Sequence, residues 1–217
     1  MDLEKYGLKN DNPILLRALT HSSYANEHHE ENYERLEFLG DAVLELVMSE
    51  YFYKNTELKE GEMTKIRSRY VCEEALNEYA KSIKLDEHIK VGEGTKNNAT
   101  VTADVFEAVV AAIYLNCGLN KAREFILDTA LPFVKNNTIF LSDYKSYLQE
   151  LVQTDQRSVE YRVVSETGPA HDKEFEVEVL VDNIVFAHGK GKSKKAAEQN
   201  AAKNAIELSA GGKQWNY

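Results

Sequence analysis

The stretch Thr102 to Leu115, TADVFEAVVAAIYL, constrains the fold more than any other. From Ala103 to Leu115 its only charges are Asp104 and Glu107. The remaining positions are apolar nearly all round, so a helix built from them has no face to offer water and belongs at the centre of a domain. The two acids are one turn apart and share a face. Asp104 reads as a first-turn acid favoured by the helix dipole. Glu107 lies deeper in the helix, where a carboxylate costs several kcal/mol unless it is paired or bound to metal.

A second helix carries acids in the same way. In Tyr33 to Phe52, YERLEFLGDAVLELVMSEYF, the residues Leu36, Leu39, Val43, Leu46 and Val47 recur at three- and four-residue steps, the period of a helix with one buried face. Glu34, Glu37 and Asp41 follow the same period and share one stripe. Alone, that stripe reads as a solvated acidic face. Two helices that each offer spaced carboxylates point instead to a hard-cation site, and oxygen-only ligands suit Mg²⁺ or Mn²⁺.

Glu34-Arg35-Leu36-Glu37-Phe38-Leu39-Gly40-Asp41-Ala42-Val43-Leu44 resembles the signature of the ribonuclease III family without a gap. Asp104-Val105-Phe106-Glu107-Ala108 resembles that family's second acidic motif, and the order and separation of the two also fit. Departures are small: Ala111 and Ala112 stand where a glycine is common, and Thr102 where many members have a leucine.

Composition bounds the partners. Hydrophobic residues make up 43% of 217, enough for one large or two small domains. No apolar run approaches the roughly 18 residues of a membrane span, and the opening MDLEKYGLKND lacks the apolar core of a secretory signal. Cys72 and Cys117 are far apart in no metal-binding pattern and read as reduced core thiols of a cytoplasmic protein. The net charge of −10 argues against nucleic acid as a partner, but its distribution qualifies this. Residues 1–142 carry 16 basic and 24 acidic residues, whereas residues 188–203 hold five lysines and one acid.

Along the chain, residues 1–28 read as helix, turn, helix, with Pro13 in the first turn of one helix. His21 precedes Ser22-Ser23-Tyr24, a segment that resembles the family's T-H-x-S; it reads as a packed or capping histidine rather than a ligand. Asn32 is a candidate N-cap for the signature helix. Gly61 reads as a turn before a helix opened by Lys65, Arg67 and Arg69, and a further helix runs from Glu73 to Ile83. Glu60 reads as a solvated loop acid; by resemblance it matches the acid that precedes Gly-x-Met in the family. Asn97, Asn98 and Thr100 read as a polar loop, and Asn120 to Phe133 as a helix stopped near Pro132. Alternation is nearly absent before residue 140, so the first domain is expected to be all-α.

After residue 142 the period changes. Asp143 to Gln153 reads as a helix with Tyr147, Leu148 and Leu151 inward. Val159 to Glu166, Phe175 to Val181 and Ile184 to Gly189 alternate as strands, with Asp182-Asn183 as a turn. Ser193 caps a last helix, Lys194 to Leu208. The order α-β-β-β-α, with Gly168-Pro169-Ala170-His171 and the Gly189 to Glu198 segment GKGKSKKAAE, resembles the double-stranded-RNA-binding domain. Lys192, Lys194 and Lys195 at a helix N-terminus combine side-chain charge with backbone N–H groups, a clamp for phosphate. Ser146, Gln149 and Gln153 share a helix face from which they could reach 2′-hydroxyls; His171 joins these candidate RNA contacts.

The expected architecture is an all-α endonuclease domain (1–138), a linker (139–142), a small α+β double-stranded-RNA-binding domain (143–210) and a tail (211–217). The resemblance implies a Mg²⁺-dependent endoribonuclease, with Mn²⁺ as a substitute, that cuts double-stranded RNA in ribosomal and messenger RNA processing, leaving 5′-phosphate and 3′-hydroxyl ends. It assigns metal coordination and catalysis to Glu37, Asp41, Asp104 and Glu107, lesser roles to Glu34 and Glu60, and a homodimer. Two readings compete. One is an RNA-binding protein that keeps the fold without the chemistry, against which the intact acids argue. The other is a di-iron helical protein, which would need Glu-x-x-His pairs that this chain lacks.

Overall fold

Helix follows helix through the first part of the chain, and an antiparallel sheet appears only in the second. The computed structural model describes residues 2–138, 140, 144–154, 156–169 and 172–210. It divides into two compact units, Met1–Ser142 and Asp143–Tyr217.

The first unit holds α1 (Pro13–Ala18), α2 (Ser22–His28), α3 (Glu34–Asn55), α4 (Glu60–Tyr70), α5 (Glu73–Ser82), α6 (Ala99–Cys117) and α7 (Leu119–Lys135). As its hydropathy demands, α6 is the central element. It packs against α1, α3, α5 and α7, and Val105, Phe106 and every residue from Ala108 to Ile113 are fully buried. At about 25 cal/mol per Å², a buried Phe or Ile in this helix contributes on the order of 2 kcal/mol. Among the described residues α6 is also the one helix long and apolar enough to cross a membrane, but it is mostly buried against α1, α3, α5 and α7. Phe106, Phe125, Phe133, Tyr70 and Tyr79 form an aromatic cluster around it. Phe140, placed in the linker by the sequence, is instead buried in this cluster against Tyr70, Tyr79 and Phe133.

Gly40 sets the crossing of α3 and α6. A Cβ at this position would stand 1.8 Å from the Glu107 backbone oxygen. Only glycine lets the two helices approach this closely, so the turn of α3 that carries Glu37 and Asp41 lies directly on the turn of α6 that carries Glu107.

Several boundaries differ from the sequence reading, each for a local reason. Helix α4 begins at Glu60, with Gly61 inside its first turn. Glu62 reaches back to accept a hydrogen bond from the Lys59 N–H at 3.0 Å, and Glu60 and Glu62 suit the positive end of the helix while Arg67 and Arg69 suit the negative end. Helix α6 begins at Ala99 because the Asn98 side chain accepts from the Val101 N–H. Thr100 is therefore helical, and Asp104 lies beyond the first turn, so the helix dipole does not account for it. Pro132 does not stop α7, which runs to Lys135; the missing N–H removes one hydrogen bond near the end, and one more turn forms past it. The N-cap of α3 is Tyr33, although the Asn32 side chain accepts from the Glu34 N–H at 3.2 Å. His21 is the N-cap of α2, its Nδ1 accepting from the Ser23 N–H.

The second unit consists of α8 (Tyr144–Thr154), β1 (Val159–Thr167), β2 (Glu174–Val181), β3 (Ile184–Gly191) and α9 (Lys194–Ala210). The three strands form one antiparallel sheet in the order β1-β2-β3. Asp182 and Asn183 both adopt positive φ in the two-residue turn between β2 and β3, as that hairpin requires. Helix α9 presses alanines onto the sheet: Ala197, Ala201, Ala202 and Ala205 are buried, and a Cβ at Gly189 would meet the Ala201 nitrogen at 2.1 Å.

Candidate metal centre and nucleic-acid interface

Glu37 and Asp41 come from α3, and Asp104 and Glu107 from α6. Glu37, Asp104 and Glu107 are half-buried, and Asp41 is exposed. Among the described residues none of the four pairs with a lysine or arginine. Burial first, and then the charges of Asp41, Glu37, Asp104 and Glu45, push the Glu107 carboxyl up to about 8. Burial, then Asp104, Glu34 and Asp41, raise Glu37 above the usual carboxylate range. Asp104 is raised as well, by burial above all and by Glu73, while a hydrogen bond from Tyr33 and the nearby His21 pull it down. The four acids therefore form one electrostatic network that, among the described residues, no lysine or arginine pairs with, His21 acting on Asp104 alone.

Glu34 and Glu60, to which the resemblance gives lesser roles, lie in different places. Glu34 is exposed at the start of α3, close enough to raise Glu37. Glu60 is not among the charges that act on Glu37, Asp104 or Glu107. It lines a different feature, an open pocket of about 370 Å³ between α3 and α4, with Leu46, Phe52, Tyr53, Met63 and Arg67.

An acid-only donor set suits a hard divalent cation. Glu107 gives the clearest indication: a largely buried carboxyl facing other carboxylates lacks the opposite charge that would keep it ionised. Among the described residues, no group of three or more His, Cys, Asp or Glu side chains converges into a ready cation cage. Tyr33, Gly40, Glu45 and Glu73 escaped the sequence reading. For the last two the only signal was their charge, which is common; Gly40 gave none beyond its place in the signature, and Tyr33 none beyond standing just before it.

In the second unit, Lys192, Lys194 and Lys195 are exposed at the start of α9. Ser193 caps this helix, its hydroxyl accepting from the Ala196 N–H at 3.1 Å. Lys192 already has a partner, Asp172, at 2.8 Å, so phosphate would have to displace a carboxylate there. The Lys194 ammonium lies 5.8 Å from the centre of the Phe175 ring. Ser146, Gln149 and Gln153 are exposed together on one face of α8, while Tyr144, Leu148 and Val152 are buried on the other. Tyr147 and Leu151, expected inward, are half-buried. His171 and the tail 211–217 lie outside the described residues.

Known proteins divide in the same place. Residues 11–133 match the family model described as Ribonuclease-III-like, and residues 144–208 match the double-stranded RNA binding motif. A helical nuclease domain followed by a double-stranded-RNA-binding domain is thus the class that fold and site define. Ribonuclease 3 of Streptococcus pneumoniae strain CGSP14 is 46% identical over 208 residues, covering 91% of this chain and 90% of that protein. The same protein from strain Hungary19A-6 matches to the same extent. The chain belongs to the ribonuclease III family. Among solved structures, the nuclease domain of ribonuclease III from Campylobacter jejuni superposes with a TM-score of 0.54 at 34% identity, over 60% of this chain and 94% of that one. A second crystal structure of that domain gives 0.53 at 33%.

Proposed function

We propose that this ribonuclease is a divalent-metal-dependent endonuclease of double-stranded RNA. Glu37, Asp41, Asp104 and Glu107 would hold Mg²⁺, for which Mn²⁺ can substitute. The observation that carries the reading is Glu107: a largely buried carboxyl with four acidic neighbours and no counter-charge, on the helix that Gly40 brings against α3. A divalent ion bound there supplies an activated water, charge neutralisation on the phosphodiester and a stabilised leaving oxygen. The chain's own part is to keep four oxygen donors on two rigid helices and to shed the Glu107 proton when positive charge arrives. The products would be 5′-phosphate and 3′-hydroxyl ends. Lys194 and Lys195, with Ser146, Gln149 and Gln153 on α8, would take the duplex by shape and phosphate rather than by base. Cytoplasmic ribosomal and messenger RNA processing fits such a specificity.

The nuclease unit is proposed to act as a homodimer. Phe38, Leu46 and Tyr53 repeat along one face of α3 and are 83%, 55% and 73% exposed, an apolar stripe unusual for a free surface. The pocket between α3 and α4 adjoins it. A related nuclease domain, from Campylobacter jejuni, is described as having a region involved in dimer formation. The deciding experiment is cleavage of a long duplex RNA in Mg²⁺, in Ca²⁺ and in EDTA. Cutting that requires Mg²⁺, with duplex binding kept in Ca²⁺, is the expected result; equal cutting in EDTA would refute the metal dependence.

A further inference from the structure

Tyr33 stands at a junction that the acidic network does not itself explain. Its ring is buried, with 4% of its surface exposed, and its backbone anchors the start of α3. Its N–H donates to the Thr20 carbonyl at 3.0 Å, and its own carbonyl accepts from the N–H groups of Leu36 and Glu37 at 2.7 and 3.0 Å. From the same residue the phenol reaches across to the other acidic helix, where Oη donates to Asp104 Oδ2 at 3.1 Å. The His21 ring lies against it, 5.7 Å between centres. One residue thus fixes the backbone that carries Glu37 and the carboxylate of Asp104.

We infer that Tyr33 is a positioning residue for the metal centre: by occupying Oδ2 it orients the Asp104 carboxylate and leaves Oδ1 as the oxygen free to coordinate. This rests on the metal-site reading given above. Partners that orient a ligand commonly change metal affinity by 10- to 100-fold when removed.

Tyr33→Phe keeps the buried ring and removes only the donor. Mn²⁺ binding to the full chain, read from the electron paramagnetic resonance of the free ion, is the direct measurement, with circular dichroism to establish that the variant is folded. We expect Mn²⁺ to bind Y33F about ten-fold more weakly than the parent. The effect should vanish in an Asp104→Ala background, because Tyr33 acts through that carboxylate. Parent and Y33F proteins that bind Mn²⁺ within two-fold of each other would overturn the role of Tyr33 and leave the metal site standing, whatever happens to stability. A loss of the same factor in the D104A background would also overturn it, pointing to a packing effect. A parent that binds no Mn²⁺ would overturn the metal-site reading itself, and this inference with it.

Discussion

Replacing Glu107 with glutamine separates what this residue does for the fold from what it does for the reaction. A carboxyl whose folded pKa lies above its unfolded value binds its proton more tightly in the folded protein. Between the two values the unfolded chain ionises first, so stability falls as pH rises from about 4.5 towards about 8. Each pH unit inside that window costs about 1.4 kcal/mol. The penalty is therefore under about 1 kcal/mol at pH 5 and about 3 kcal/mol at pH 7. Glutamine keeps the shape and cannot ionise; its amide, still partly buried, gives back about 1 kcal/mol of that gain. In EDTA the variant should be about 2 kcal/mol more stable than the parent at pH 7 and nearly equal at pH 5, as read from urea unfolding followed by circular dichroism. Saturating Mg²⁺ should reverse the order. At a hundred times its dissociation constant, a ligand that binds only the folded state adds about 2.7 kcal/mol, and the parent alone should receive it. Duplex RNA should still bind the variant in Ca²⁺ and remain uncut in Mg²⁺. A variant less stable than the parent in EDTA at pH 7, or a gain that does not grow with pH, would refute the view of Glu107 as an uncompensated buried acid.

Three further substitutions test other parts of the argument. Gly40→Ala drives a methyl into the Glu107 carbonyl, where no side chain can move aside; a loss of about 3 kcal/mol is expected from urea unfolding, and metal affinity should fall with it. Lys194→Ala together with Lys195→Ala should weaken binding to unrelated duplexes alike and lower the salt-dependence slope by about one per lost phosphate contact, measured by fluorescence anisotropy at several salt concentrations. Phe38→Lys should convert the proposed dimer to a monomer by light scattering at micromolar concentration while leaving the circular dichroism unchanged, since the side chain is 83% exposed.

Where a feature depends on the chain's own periodicity, the sequence carried it. The centrality of α6 followed from an apolar pattern with no polar face, and the acids of α3 and α6 followed from their spacing. The hairpin at Asp182-Asn183 and the Ser193 cap are local chemistry, legible without knowing what lies opposite. Gly40 was not legible in that way. In isolation a mid-helix glycine reads only as a loss of about 1 kcal/mol against alanine; its purpose is the backbone of Glu107, 67 residues later. Tyr33 reads as one more aromatic at a helix start until Asp104 is seen across from it. Glu60, given a lesser role by resemblance alone, lines the α3–α4 pocket, a place that its own sequence context does not specify. The Lys192–Asp172 pair depends on how the segment between β1 and β2 returns to the sheet, which alternation alone does not specify.

Opposed electrostatics in the two units give the chain its logic under the proposed reading. Residues 1–142 carry a net charge of −8, and the carboxylates of α3 and α6 lie where a phosphodiester would have to come. Without a cation this surface repels RNA. At physiological ionic strength, however, the repulsion fades over a Debye length of about 8 Å. Lys194 and Lys195 can therefore hold phosphates by short-range contact despite the overall acidity of the chain. Neutralising Glu37, Asp41, Asp104 and Glu107 is a separate task. That task needs positive charge within a few ångströms, and among the described residues neither lysine nor arginine pairs with these acids. A small divalent ion is the chemistry that fits: it relieves the strain on Glu107 and turns a surface that excludes phosphate into one that attracts it.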